Sequence, residues 1–393
     1  MKWFASLLLF LTVIGVPAVP EPQIGGVIRH GADYEISVIY TEPVDIGALS
    51  DPENYAISSG TKLGARLVAT NQGAILLVSG LDDRADGSLS VSNMSDPGGN
   101  PLPAVTLPFE KPVLMWAEIG ANELGFRSDV VGIPENGFDL FNGGIQQRSE
   151  YDEATFVGQE VPGNFDVKVR VDYVEPAGAG AKAGIMIREN LDENRPRPLD
   201  PTEPSQAFSR YLELAVRAPA SVFGEPDSNH HIFQRATFGG FDTLELTVTN
   251  DAAPAFPNAW LRVERIGNEF KMYRGVDGAT WQQIGGATFD PAMTNKVWVG
   301  LAFSAQNDDI PFATEFRKSF VAKFRDYELI PTEPEPGPLH IQNFADYAEI
   351  TWEGPGTLQT APTVIGEWAD LPTAISPFRV NFTEPMRFYR LRN

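Results

Sequence analysis

Between residues 165 and 173 apolar and charged side chains alternate without a break. Phe165, Val167, Val169, Val171 and Tyr173 share one parity, and Asp166, Lys168, Arg170 and Asp172 the other. Successive side chains of an extended chain point to opposite faces, so this run predicts a strand with one apolar and one wet face. Leu244, Leu246 and Val248 alternate in the same way with Glu245, Thr247 and Thr249. Further strands are expected at 184–188, 211–216, 261–266 and 297–303. No segment carries a sustained 3.6-residue apolar period with capping residues, and no repeat of fixed period appears, which argues against a solenoid or propeller. The expectation is an all-β chain of antiparallel sandwiches.

Composition agrees: 36 glycines and 32 prolines suit many short strands joined by tight turns. The absence of cysteine excludes disulfides, thiolate metal sites and a cysteine nucleophile. A net charge of −22 would repel phosphate backbones and argues against nucleic acid as a partner. Its plainest meaning is a solvated acidic surface. At the start, Lys2 precedes an apolar run from Trp3 to Val16, followed by Val16-Pro17-Ala18. This pattern predicts a signal peptide over residues 1–18. The run is shorter than the roughly 20 residues that span a bilayer, and no later stretch is apolar enough to do so. The mature chain is therefore expected outside the cytoplasm: extracellular, on the cell surface or periplasmic.

Two proline-rich joints divide the rest, one at 101–112 and one at 331–338. Proline at that density favours a stiff extended spacer. The modules so defined are 21–108, 113–329 and 339–393. In the first, Asp51-Pro52-Glu53-Asn54-Tyr55-Ala56-Ile57 lies between strands at Tyr34–Tyr40 and Ile75–Val78. The module closes with Asp96-Pro97-Gly98-Gly99-Asn100. These motifs resemble the immunoglobulin-like domains of bacterial surface-layer and adhesion proteins, which implies a spacer. Asp96 and Asn100 are expected to bond local amides in a turn.

The middle module carries the most specific pattern. Trp260 to Arg274 reads W-L-R-V-E-R-I-G-N-E-F-K-M-Y-R, with Gly267-Asn268 as a two-residue turn, and Asp277-Gly278-Ala279-Thr280-Trp281 follows. Together with Ala183 to Arg188 and Val299 to Phe303, this resembles the concanavalin A-like, laminin-G-like domains of bacterial extracellular proteins. The resemblance implies a two-sheet jelly-roll sandwich. The Asp277-Gly278-Ala279-Thr280-Trp281 string also resembles the aspartate box of sialidases, a structural turn, so Asp277 is expected to accept turn amides and Trp281 to fill the hairpin base. In the third module, Ile350-Thr351-Trp352, Leu358 to Ala361, Gly366-Glu367-Trp368 and Phe388-Tyr389-Arg390-Leu391 resemble a short fibronectin-like domain. There Trp352, Trp368, Phe388 and Tyr389 are expected to supply most of a small core.

The search for chemistry finds little. His30, His230, His231 and His340 are the only histidines. As neighbours in a strand, His230 and His231 would face opposite sides, and a surface loop is their expected place. No nucleophile elbow, phosphate-cradling loop or zinc spacing is present. Glycoside hydrolases of this fold place carboxylates on one strand face as E-x-D-x-x-E, and Glu150-Tyr151-Asp152-Glu153 fails that spacing. The expectation is a non-catalytic binding protein, with an architectural envelope component and an unrecognised polysaccharide hydrolase as alternatives.

Strand parity supplies a candidate binding face. It puts Trp298 opposite the apolar set Val297, Val299, Leu301 and Phe303. It likewise puts Arg188, Glu213, Arg262 and Glu264 on the faces away from their apolar neighbours. Such a face, with Gly300 and Ala302 leaving space beside Trp298, suits a glycan or a surface component through ring stacking and forked hydrogen bonds. The competing reading is cross-strand ion pairing on a wet face, with Trp298 covering glycine. Calcium is a candidate cofactor, with Asp152, Asn307, Asp308 and Asp309 as its oxygen ligands.

Overall fold

A computed structural model describes residues 19–68, 72–120, 128–142, 147–148, 151–152, 154–175, 181–191, 209–218, 229–237, 244–247, 254–305, 320–332, 339–352, 356–364, 367–382 and 386–392. The side chains of 147–148, 151–152 and 244–247 are not among the described atoms. The expected signal peptide (1–18), most of the second proline joint (333–338) and Asn307, Asp308 and Asp309 lie outside the described residues. The chain divides into two compact units, residues 1–113 with 131–134 and residues 114–130 with 135–393. Nearly all regular structure is strand, as the alternation predicts; the described helix α1 (Ile46–Ser50) is five residues long. Among the described residues no helix is long and apolar enough to cross a membrane.

The first unit contains β1 (Pro22–His30), β2 (Asp33–Tyr40), β3 (Tyr55–Ile57), β4 (Thr61–Leu67), β5 (Gly73–Ser79), β6 (Gly87–Val91) and β7 (Val105–Phe109). They form two layers, β1-β2-β5-β4 and β3-β6-β7. Ile36 and Val38 of β2, Leu76 and Val78 of β5 and Leu89 of β6 are fully buried between them. Asn54 and Tyr55 end α1: Asn54 Nδ2 donates to the Ala48 carbonyl at 3.0 Å and the Tyr55 hydroxyl to that of Leu49 at 3.0 Å. These bonds satisfy carbonyls that a helix end leaves without partners. Asp96 accepts from the Asn100 amide and side chain, both at 2.8 Å, so that loop is the local turn its residues predict.

Residues 114–332 supply β8 (Leu114–Ile119), β9 (Asp129–Ile133), β10 (Gly137–Asn142), β11 (Gln147–Arg148), β12 (Tyr151–Asp152), β13 (Ala154–Pro162), β14 (Asn164–Val174), β15 (Lys182–Arg188), β16 (Tyr211–Arg217), β17 (His230–Arg235), β18 (Leu244–Thr247), β19 (Ala259–Ile266), β20 (Glu269–Gly275), β21 (Gln282–Thr288), β22 (Lys296–Ser304) and β23 (Phe320–Thr332). A front sheet runs in the order β18-β17-β16-β15-β22-β13-β8 and a back sheet in the order β21-β20-β19-β14-β23-β10. The inward parity of the back sheet, Phe165, Val167, Val169, Val171, Leu261 and Val263, is fully buried. So is that of the front sheet, Ile185, Ile187, Leu212, Leu214, Val299, Leu301 and Phe303. Each such side chain contributes on the order of 1.5–3 kcal/mol relative to exposure.

The two sheets differ on their other faces. In β14 and β19 the outward residues are half-buried, so the alternation in sequence is an alternation in burial. In β15 and β17 every residue is buried, and in β16 all but Arg217. His230 and His231 are therefore not in a surface loop. They sit in β17 at 2% and 0% exposure, on opposite faces, with His231 stacked on Phe233 at 5.7 Å.

The C-terminal segment holds β24 (His340–Asn343), β25 (Tyr347–Thr351), β26 (Thr357–Ala361), β27 (Ala369–Asp370), β28 (Phe378–Asn381) and β29 (Phe388–Arg392). They form two three-stranded sheets, β24-β25-β28 and β27-β26-β29. Its core is Ile350, Trp352 and Leu358. Of the four aromatics expected there, only Trp352 is buried. Phe388 and Tyr389 are half-buried, and Trp368 lies beneath the Arg390 guanidinium at 4.4 Å. Ile350 and Leu358, from β25 and β26, fill the centre together with Trp352.

Candidate functional site

The ladder registers of the front sheet place one residue of each strand in a continuous row. Glu160 pairs with Trp298, Trp298 with Arg188, Arg188 with Tyr211, and Tyr211 with Arg235. Ring and guanidinium thus alternate across β22, β15, β16 and β17, on the face turned away from the inter-sheet core. The Arg188 and Arg235 guanidinium carbons stand 5.5 and 4.9 Å from the Tyr211 ring centroid. Arg188, Tyr211 and Arg235 are fully buried, whereas Trp298 at the other end is half-buried.

The next row along the strands runs Gly158, Gly300, Met186, Glu213 and Phe233. Glu213 is diagonal to both Arg188 and Arg235. Lys182, fully buried, sets its Nζ 3.6 Å from the Phe233 ring centroid. Tyr211, Met186, Phe156, Ala302 and Phe233 pack together on this face, and Trp298 leans against them. Burying an ion costs several kcal/mol unless charges and dipoles around it compensate. Three fully buried cations, Lys182, Arg188 and Arg235, therefore set this face apart from an ordinary sheet surface.

Gly300 does not open a slot beside Trp298. It faces Gly158 across the ladder, and the Phe156 ring lies over both glycines: a Cβ on either would stand 2.7 Å from its Cζ. Ala302 is fully buried in the same cluster. The space expected there is filled by Phe156, which also does the covering of glycine assigned to Trp298.

Arg262 and Glu264 are not part of this face. They lie on the outward face of β19 in the back sheet, away from Arg188 of the front sheet. Arg262 donates to both Asp166 oxygens, at 2.8 and 2.6 Å, across β19 and β14. Its guanidinium lies over Tyr273 and Trp281, 5.0 and 5.8 Å from their centroids. The Asp166 hydrogen bonds raise the Arg262 pKa above its ordinary range. Glu264 accepts from the Tyr273 hydroxyl at 3.1 Å. Lys168 pairs with Glu328 at 2.7 Å nearby. This is the cross-strand ion pairing of a wet face, around a depression of about 240 Å³ edged by Trp281 and Ile330.

The hairpin residues do what their types predict. Gly267 takes a φ of 59° in the turn between β19 and β20. Asp277 accepts from the Ala279 and Thr280 amides at 2.9 and 2.7 Å and from the Thr280 hydroxyl at 3.0 Å. These bonds, the Thr280 amide first, hold its carboxyl below the usual range. Trp281 packs edge-on against Trp260 at 6.3 Å.

Of the calcium candidates, Asn307, Asp308 and Asp309 lie outside the described residues, and only the backbone of Asp152 is described, in β12. Among the described residues no group of three or more His, Asp or Glu side chains gathers as a metal site would require. Missing from the sequence reading were Lys182, Tyr211, Phe233 and Arg235. For Lys182 and Tyr211 a signal was present: they open the runs KAGIMIR and YLELAVR, too continuously apolar for a strand with a wet face, whereas HHIFQR around Phe233 and Arg235 carries none.

No protein-family model matches the chain, and no curated protein matches it in sequence. Among solved structures it is similar to the VIP36 exoplasmic/lumenal domain in its Ca2+/Man2-bound form, at 12% identity over 58% of this chain and 85% of that one, with a TM-score of 0.35. It is also similar to the carbohydrate-binding module CBM66 from Bacillus subtilis, at 12% identity over 55% and 94%, TM-score 0.31. A third is basic winged bean lectin with Tn-antigen, at 10% identity over 56% and 99%, TM-score 0.33. These are likenesses of shape, and no ligand passes from them to this chain. What the strands themselves define is an all-β protein of antiparallel sandwiches.

Proposed function

We propose that the central sandwich is a non-catalytic carbohydrate-recognition module that engages a sugar at the Trp298 end of the front-sheet row. The observation that supports it is the register Trp298–Arg188–Tyr211–Arg235. A half-buried indole offers an apolar plate for a sugar ring, and the fully buried Arg188 and Tyr211 on the strands beside it hold that end of the row in place. The resemblance of the hairpin to laminin-G-like domains points the same way, and the apolar N-terminal run supports an exported chain.

Hydrolysis is the weaker reading. Glycosidases need two carboxyl groups about 5–9.5 Å apart across the scissile bond. On this face the described side chains supply Glu213 and Glu160, on β16 and β13. With β15 and β22 between them, three strand spacings separate the two, roughly 14 Å. Glu160 is also engaged by Lys296.

The test is a glycan array on the secreted chain, followed by titration of the strongest ligand against Trp298→Ala. The variant should lose about 1–3 kcal/mol of affinity, the range for an aromatic anchor. A stability loss of about 3–5 kcal/mol would instead make the ring core and remove the site. Release of reducing sugar, abolished by Glu213→Gln, would overturn the non-catalytic reading.

A further inference from the structure

The small C-terminal sandwich is incompletely closed. Ile341, Ile350 and Phe378 form one row on the inner face of β24-β25-β28. Ile350 is buried at 1%, yet Ile341 at the end of the row is 57% exposed. The second sheet covers the middle of the first and not its margins. The result is a groove of about 680 Å³, lined by Ile341, Leu371, Phe378, Val380, Phe382 and Met386. Phe382 and Met386 are 55% and 64% exposed at its rim. That volume falls within the range of ordinary ligand sites.

Two further features say what would fill it. Arg379 and Arg387 also line the groove, and among the described residues no Asp or Glu does, in a chain of net charge −22. Arg379 rests on the Tyr347 ring at 3.7 Å and makes no ion pair among the described residues. Secondly, among the described residues β28 is an edge strand, hydrogen-bonded in its sheet to β25 on one side only. Its sequence, Phe378-Arg379-Val380-Asn381, alternates apolar and polar, with Phe378 and Val380 turned to the groove. An edge strand presents free amide and carbonyl groups to any extended chain laid beside it.

We propose that this groove receives an extended peptide segment of a partner protein, in which apolar and acidic residues alternate. Paired to β28, its apolar side chains enter the groove beside Phe378 and Val380. Its carboxylates, on the other parity, stand beside Arg379. An acyl chain is the poorer occupant, because a groove this open leaves it half wet, whereas a strand keeps its polar backbone at the rim.

The experiment titrates the full chain with a capped heptapeptide alternating valine and glutamate, and with its valine–lysine counterpart. The wild type should bind the glutamate peptide alone. Arg379→Glu, at an exposed position, should weaken that binding about tenfold or more and confer binding of the lysine peptide, since like charges across an interface repel. Met386→Asp should weaken the glutamate peptide without admitting the lysine one. Equal binding of both peptides, or an Arg379→Glu variant that binds the glutamate peptide as well as wild type, overturns the proposal. Oleate binding in place of either peptide, or a dimer in sedimentation equilibrium that Met386→Asp dissolves, would show another occupant and overturn it as well.

Discussion

The front and back sheets of the central sandwich share one core and differ on their second faces. On the back sheet Asp166, Arg262, Glu264 and Lys168 are half-buried, paired with one another or with neighbours, and open to water. On the front sheet Lys182, Arg188, Glu213 and Arg235 occupy equivalent positions in their strands and are fully buried. The same residue types at the same parity thus carry different energies. An ion pair at a wet face is worth little because water already solvates its members. A charge under cover must be held by its surroundings, so its removal is felt throughout the site.

Substitutions across the two sheets test that contrast, and the largest effect is expected at Glu213. Glu213→Ala should cost about 3–5 kcal/mol of unfolding free energy, because it leaves the cations diagonal to it buried with less compensation. Denaturant unfolding measures this, and a loss below 1 kcal/mol would make the front face as wet as the back. Next comes Gly300→Ala, whose Cβ would meet the Val157 carbonyl and the Phe156 ring. Overpacking of this kind should cost about 1–3 kcal/mol. A neutral result would mean that the strand pair has room to part.

Asp166→Ala, on the back sheet, removes the bidentate partner of Arg262, yet both side chains reach solvent. The expected loss is under about 1 kcal/mol. If it rivals Glu213→Ala, the distinction between the faces fails. The smallest effect belongs to Asp277. Its carboxyl is held below the usual range, so its bonds contribute stability above that range and lose it as pH falls through the lowered midpoint. A carbon-detected NMR titration should find that midpoint depressed, and Asp277→Asn should slightly flatten the acid limb of the stability curve. An ordinary midpoint would mean the turn does not hold the carboxylate.

How much of this could be read in advance depended on distance along the chain. Gly267-Asn268, Asp277 to Thr280 and Asp96 to Asn100 were legible because each turn closes its hydrogen bonds within a few residues. The strand at 165–173 was legible because parity is a property of one strand. The front-sheet row was not, because Trp298, Arg188 and Tyr211 meet only through the order in which distant strands pair. Arg262 shows the converse. Its outward direction was right and its neighbours were wrong, since nothing in residues 261–266 says which sheet they will join. The aromatic C-terminal core failed for a related reason: Trp368 and Tyr389 are apolar enough to bury, but two three-stranded sheets enclose too little space for them.

The amino-acid sequence by itself determined the strands, the turns and the face of its own strand on which each side chain lies, because steric and hydrogen-bonding rules of the backbone act between near neighbours. Tertiary structure alone decided which outer face is covered, which charges are buried and which residues share a site. Those depend on sheet order and on what packs over each sheet, and both arise from contacts between segments far apart in the chain.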